Sequence, residues 1–494
     1  MPGTFGSPLS TPPPHKMQGR FTRFFLSPQR LILFIAQMVV SLPIFLFLKM
    51  PHYATVTSLL AWVMLEVAVL SWISWYGDDD VPVLPVILSL YVLYFALPIF
   101  TVEHIKLLYS YFFVTDWHSQ QILFMALLSE VCIWIGWESG RKRMKPFRWS
   151  IQVSENTLLF LALGIVLFQI GMFALSQTDS APALGNYSQV INGVANLYLA
   201  LGVFYYSIER HGMHIWSILG ITAIAILQVA VSVSSTMLGE MIMPFIVIGV
   251  LSIRRNKVIT IGGLTVMIFI AGFLQPVKLQ FRDVLNQFEK TGKTFSLTEK
   301  AQLYFTLAMY HASGAPLPMV YEGHENTKLS NRFSLLPLTA VLLDVTPSNI
   351  PFQYGATFEY LVYVPLPRFI YKDKPTAQEA NVWFARSYGF LDEELAKTTK
   401  VGISHMGEVY VNFGWVGIIP VFLLVGLIPG RVSVPAFARD ASLATRCIYV
   451  ALIPNFLSIE STLTGFMASI MYTLVFSTIT LYVLSRLQRV AKEL

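Results

Sequence analysis

Runs of about 17–24 predominantly apolar residues recur along this chain, each long enough to cross the hydrocarbon core of a bilayer. They fall near 30–50, 54–75, 81–102, 119–138, 156–176, 186–207, 213–234, 236–252, 258–275, 409–430, 446–463 and 464–485. A backbone in hydrocarbon must satisfy its own hydrogen bonds, and a helix does so within one segment. The expected fold class is therefore all-α: a polytopic integral membrane protein of about twelve transmembrane helices. Composition agrees. Of 494 residues 55% are hydrophobic and 13% charged, with a mean hydropathy of +0.60, whereas a soluble domain carries about 25% charged residues. Aromatic residues make up 14%, which excludes a disordered chain.

Lys and Arg set the expected orientation. Lys16, Arg20, Arg23 and Arg30 share one side with Arg141, Lys142, Arg143, Lys145 and Arg148. Arg254, Arg255, Lys257, Arg431, Arg439, Arg486, Arg489 and Lys492 fall on that side too, and the short loops opposite hold only Lys49 and Lys106. The positive-inside rule then places both termini in the cytosol. The chain divides into a cytosolic tail (1–28), nine spans (29–275), a large extracytoplasmic loop (276–408), three further spans (409–485) and a short cytosolic tail (486–494). The first tail is Pro-rich and basic and lacks the apolar run of a cleaved signal peptide. The large loop holds 13 Lys+Arg and 13 Asp+Glu, so the net charge of +6 lies wholly outside it and reports orientation, not substrate.

A loop of roughly 130 residues between spans is uncommon unless it is functional. Its apolar stretches SLLPLTAVLLDV (334–345) and FEYLVYVPLP (358–367) are too short to cross and read as interfacial or re-entrant helices. In VPLPRFIYKDKP (364–375), Arg368, Lys372 and Lys374 lie within seven residues, and prolines 365, 367 and 375 restrict the backbone around them. Such a cluster suits a phosphate or pyrophosphate; a basic loop resting on anionic headgroups is the other reading. Lys278 and Arg282, four apart after the ninth span, face the same pair of readings. Tyr310, His311 and Tyr321 have the chemistry either to stack on sugars or to anchor at the interface.

GISHMGEVYVNFGWVG (402–417) runs into the tenth span. With a helix starting near His405, the side chains of His405, Glu408 and Asn412 share one face. A His and a carboxylate at a helix mouth can deprotonate an attacking sugar hydroxyl, or they can form a self-satisfied polar rim. Gly414 and Gly417 permit close helix packing. Glu66, Glu130, Glu240 and Glu460 fall within spans. Glu240 and Glu460 lie toward the outer ends as possible cavity acids, and Glu66 and Glu130 near mid-membrane as candidate helix glue. The Asp78–Asp80 run reads as a solvated cytosolic turn. Cys132 and Cys447 sit in apolar runs, so no disulfide framework or Cys-based zinc site is available. There is no Walker loop, Rossmann glycine fingerprint or HExxH.

The topology, with PRFIYKDKP (367–375) followed by GEVYVNFGWVG (407–417), resembles the bacterial repeat-unit polymerases of the Wzy type, which include O-antigen, capsule and exopolysaccharide polymerases. Members often carry a P-R-x-x-aromatic-x-(D/K)-K-P-like stretch and then a G-E-x-Y-x-N-F-G-like helix start. The resemblance implies a metal-independent glycosyltransferase with no cofactor, working in the bacterial inner membrane on undecaprenyl-pyrophosphate-linked oligosaccharide. A flippase and a chain-length regulator are its implied partners, and nucleic acid is not. Carried onto this sequence, Arg282, Arg368, Lys372 and Lys374 would stabilise the leaving pyrophosphate. His405 or Glu408 would be the general base, with Tyr410 and Asn412 binding substrate. The paired R-x10-G motifs of some members have no counterpart at Arg282 or Arg368, and SVSSTMLGEM (232–241) carries Glu240 where many members have Arg. An O-antigen ligase of similar build is the neighbouring alternative. A lipid-glycan flippase or other secondary transporter is the alternative of another class, though repeated halves are absent.

Overall fold

A computed structural model describes residues 28–75, 81–101, 104–106, 111–142, 151–177, 193–235, 238–253, 257–290, 295–314, 333–364, 371, 375, 378–391, 401–438 and 441–493. Among these residues the chain is helical apart from one short hairpin, β1 (His104–Lys106) antiparallel to β2 (Tyr111–Phe113). The first helices are α1 (Pro28–Phe47), α2 (Thr55–Trp75) and α3 (Val83–Tyr91), the last extended by a π turn and a 3-10 turn as far as Phe100. Next come α4 (Asp116–Lys142), α5 (Glu155–Ser176), α6 (Leu197–His211), α7 (Ile215–Ser235) and α8 (Leu238–Ser252). α9 (Lys257–Leu274) continues through Gln275–Val277 into α10 (Lys278–Lys290). The loop region adds α11 (Leu297–Ser313), α12 (Leu336–Val345), α13 (Tyr360–Tyr363) and α14 (Gln378–Ser387). The chain ends with α15 (Ser404–Ala436), α16 (Leu443–Phe456) and α17 (Leu463–Glu493).

Among the described residues nine helices are long and apolar enough to cross a membrane, so the chain is an all-α polytopic membrane protein. The other three expected spans coincide with α6, α8 and α16, of 15, 15 and 14 residues. Local chemistry explains two of these shorter lengths. The polar stretch before α6 ends in Asn196, whose side chain accepts from the Tyr198 and Leu199 amides as an N-cap. α16 starts on the cap Ser442 and stops before the polar turn 457–462.

The main apolar core draws on most of the chain, from Phe45 of α1 and Met64 of α2 to Ile448 of α16 and Phe466 of α17. α12, expected as a short apolar loop helix, is buried, with Leu336, Ala340 and Leu342 fully covered. A separate cluster joins Val233 of α7 to Val277, Phe281 of α10 and Tyr304 of α11, the last two rings stacked at 4.3 Å. Glu66 ties α2 to α1, accepting from Ser41 Oγ (3.0 Å) and Gln37 Nε2 (3.1 Å). Glu130 is fully buried on α4.

The closest helix contact is between α4 and α15, which run parallel. A Cβ on Gly136 would lie 2.1 Å from the Leu423 carbonyl oxygen, and one on Gly426 would lie 2.0 Å from that of Ile133. Gly140 and Gly430 repeat the relation at 2.5 Å, against Leu427 and Trp137. Each helix thus contributes a small-xxx-small pair, Gly136/Gly140 and Gly426/Gly430, where backbone meets backbone with no room for any side chain.

Candidate active site at the loop end of α15

α15 is 33 residues long, about 50 Å at the helical rise, while the hydrocarbon core needs only about 20 residues. Its first third is therefore free to stand among the loop segments, and Ser404–Asn412 is buried throughout by the loop and the α16–α17 turn. The Ser404 amide donates to the Glu460 carbonyl (3.2 Å), and Ser404 Oγ accepts from the Gly407 amide (3.1 Å).

Glu408 is fully buried and both its oxygens are occupied. Oε1 accepts from Thr357 Oγ1 (2.7 Å) and Thr464 Oγ1 (2.6 Å), and Oε2 accepts from the Thr464 amide (2.9 Å). That amide belongs to the first turn of α17, where helix N–H groups have no partner of their own, so Glu408 caps α17 from another helix. Asn412, one turn on, donates to Thr357 Oγ1 and to the Glu408 carbonyl, both at 2.8 Å. Its Oδ1 accepts from the Gly355 amide at 2.9 Å. Glu408, Asn412, Thr357 and Thr464 thus form one closed network joining loop, α15 and α17.

The helix then breaks. Gly414 has φ 60° and ψ −152°, a left-handed conformation that suits glycine, and a Cβ there would meet the Phe352 ring at 3.1 Å. Gly414 therefore serves as a kink, and Gly417 packs against Phe413 of its own helix; the close interhelical contact expected at these two lies instead at Gly426 and Gly430. Beside the kink, residues 353–355 form a strap on α15: the Gln353 and Tyr354 amides donate to the Val411 and Asn412 carbonyls, each at 3.0 Å.

The remaining candidates divide by location. His405 is 2% exposed, with Nε2 3.3 Å from Ser461 Oγ and its ring 4.4 Å from that of Phe466. Glu460 is half-buried in the same turn and accepts from the Tyr94 hydroxyl at 2.7 Å. Tyr410 is buried and donates to the Thr346 carbonyl (3.2 Å). Thr346 Oγ1 shares a 2.5 Å hydrogen bond with the Tyr388 hydroxyl, and burial pushes that Tyr388 phenol up to about 12. Arg282 lies on α10, whose apolar face packs in the separate α7–α10–α11 cluster. Tyr310 and His311 ride on α11 of that same group. Glu240 is half-buried on α8, beside Tyr198. Arg368, Lys372 and Lys374 lie outside the described residues, as do Asp78–Asp80 and Tyr321. The described residues flanking the cations meet α17 and each other: the Val364 carbonyl accepts from the Tyr472 hydroxyl (2.8 Å), and the Tyr371 and Tyr363 rings are 6.0 Å apart.

The sequence puts His405, Glu408 and Asn412 on one helix face, but neither the burial of that face nor its partners can be read from it. Thr357 lies 51 residues from Glu408 and Thr464 lies 56, and no local pattern marks either. The only available signal was the polar run SIEST (458–462) between two apolar stretches.

Residues 327–489 match the model of the family described as O-antigen polysaccharide polymerase Wzy. No curated protein and no solved structure matches the chain. The matched third of the sequence contains the strap, the Glu408 network and α15–α17, together with the cation-bearing segment. Over residues 327–489 the chain is thus similar to O-antigen polysaccharide polymerases, and that segment is set in an all-α polytopic membrane body.

Proposed function

We propose that the protein joins undecaprenyl-pyrophosphate-linked oligosaccharide repeat units at the periplasmic face of the inner membrane, with both termini in the cytosol. The sugar hydroxyl of a newly flipped repeat unit attacks the anomeric carbon of the growing glycan. The carbon–oxygen bond to pyrophosphate breaks, the hydroxyl proton passes to a base, and lipid pyrophosphate leaves as an anion. Arg368, Lys372 and Lys374 meet the charge that develops on the leaving group, without a metal ion. Arg282 sits on α10, whose apolar residues pack in the separate α7–α10–α11 cluster, and the reading does not depend on it.

The observation that carries this reading is the coincidence, within residues 327–489, of the family match, the loop cations and the buried network at the head of α15. Of the two base candidates, Glu408 has both oxygens occupied by three donors and serves as a positioning residue. His405 hydrogen-bonds to the 458–461 turn, through a long contact to Ser461 Oγ and a backbone hydrogen bond at Ser458, and is assigned the proton transfer; catalytic hydrogen bonds commonly tighten only when substrate is bound. A flippase that supplies repeat units and a chain-length regulator are the partners this chemistry calls for.

The test is a deletion strain complemented with wild type or Arg368→Ala, compared at equal membrane levels. Arg368→Ala is expected to abolish long-chain glycan while single repeat units still reach lipid A. An unchanged polymer ladder would remove Arg368 from the reaction. Accumulation of lipid-linked polymer with no glycan attached to lipid A would instead mark a ligase.

A further inference from the structure

Tyr354 is the residue whose backbone and side chain are hardest to explain by packing. It has φ 48° and is followed by Gly355 at φ 93°, so two consecutive residues are left-handed. Glycine adopts that region freely, whereas a tyrosine pays for it. Such outliers persist only where the surroundings over-determine them. Here the Tyr354 amide is bound to the Asn412 carbonyl and the Gly355 amide to Asn412 Oδ1. Asn412 is in turn locked through Thr357 to Glu408 and Thr464. The most heavily hydrogen-bonded buried group at the site therefore fixes this one turn. Yet the ring it fixes gains no cover, for Tyr354 is 80% exposed.

An anchor in lipid or a filler of the core has no use for a strained backbone that projects its ring outward. A binding face does. Tyr354 also ends a row of rings: Phe352 at 6.4 Å, then Tyr410 at 6.0 Å from Phe352, then Trp415 at 6.4 Å from Tyr410. Phe352 wedges the row into the Gly414 kink. An aromatic face is electron-rich and accepts the C–H bonds of a pyranose, while the phenol hydroxyl remains available to sugar hydroxyls.

We propose that Tyr354 is a sugar-stacking subsite for the glycan, and that Asn412, with the Glu408 network behind it, is its positioning apparatus. The proposal rests on the polymerase reading and adds to it where a sugar ring sits.

The test uses the full-length protein in lipid nanodiscs, with lipid-linked repeat units purified from the host strain, and polymer ladders from the complemented deletion strain. Tyr354→Gly and Tyr354→Asn relieve the left-handed backbone and remove the ring, so both fold. They are expected to raise KM for the repeat unit about five- to tenfold with kcat little changed, and to shorten the ladder. Tyr354→Phe and Tyr354→Trp keep an aromatic face and should stay within about twofold of wild type. A wild-type KM in Tyr354→Gly overturns the proposal. So does an equal loss in all four variants, because a stacking face survives the change to Phe or Trp. Failure of the polymerase reading looks different: deletion of the whole chain would then still yield long polymer, either attached to lipid A or left on the lipid carrier.

Discussion

The two halves of α15 are built on opposite principles. Beyond the kink, Gly426 and Gly430 bring its backbone against that of α4 with no side chain between them. Before the kink, Glu408 and Asn412 hold it to the loop and to α17 through side-chain hydrogen bonds in a fully buried setting. Tight apolar packing fixes a helix in place and offers nothing to a substrate. A buried polar network is costly to build, and it gains specificity by admitting one arrangement of its donors and acceptors. Gly414 separates the two regimes, so the loop half can be aimed by its hydrogen bonds while the far half is held by α4.

This contrast separates effects on folding from effects on reaction. The largest expected effect is in the far half. Gly426→Leu must push a Cβ, now 2.0 Å from a carbonyl oxygen, away from α4. Because backbone must move, the cost should exceed the ~3 kcal/mol of ordinary overpacking. Fluorescence-detected size exclusion after heating should show little folded protein, and a normal melting profile would mean that the α4–α15 contact is not what holds the bundle. Next comes Glu408→Ala in the loop half. It removes the carboxylate that accepts from the Thr357 hydroxyl and from the Thr464 amide and hydroxyl, at about 3 kcal/mol or more, and is expected to lower thermal stability while nearly abolishing polymer. Glu408→Gln keeps the shape but turns an amide toward these donors, and should retain most membrane protein with clearly shortened glycan. If Glu408→Gln made polymer of wild-type length, the network would be scaffolding alone.

The two regimes were not equally legible in the sequence. The spacing of His405, Glu408 and Asn412 announces a shared polar face because helical periodicity is a local property, and α15 does begin at Ser404; that the face is buried is set by the loop and by α17. Gly136-x-x-x-Gly140 and Gly426-x-x-x-Gly430 are equally readable as motifs, although nothing local says that they meet. Thr357 and Thr464 were not legible at all. Each is an ordinary threonine until a chain separated by more than fifty residues delivers a carboxylate to it. The strap is harder still, since the left-handed turn at Tyr354 is imposed by Asn412 and contradicts what tyrosine prefers locally. Tertiary contacts override local preference where the site is, and the glycine-packed half shows no such conflict.

The smallest effect offers the finest test of the contrast. Thr357 Oγ1 both donates to Glu408 and accepts from Asn412, so it is the loop side-chain atom that touches both members of the network on α15. Thr357→Val keeps the shape and removes both bonds, and should cost about 1–2 kcal/mol. Thr357→Ser keeps the hydroxyl and loses one methyl, at about 0.8 kcal/mol or less. If the loop half is aimed by hydrogen bonds, Thr357→Val should shorten the glycan at normal membrane levels, and Thr357→Ser should leave its length unchanged. Equal ladders from the two would show that the loop is seated by packing. The kink at Gly414 would then divide two halves of the same kind, and the division between holding and aiming would have to be drawn elsewhere on α15.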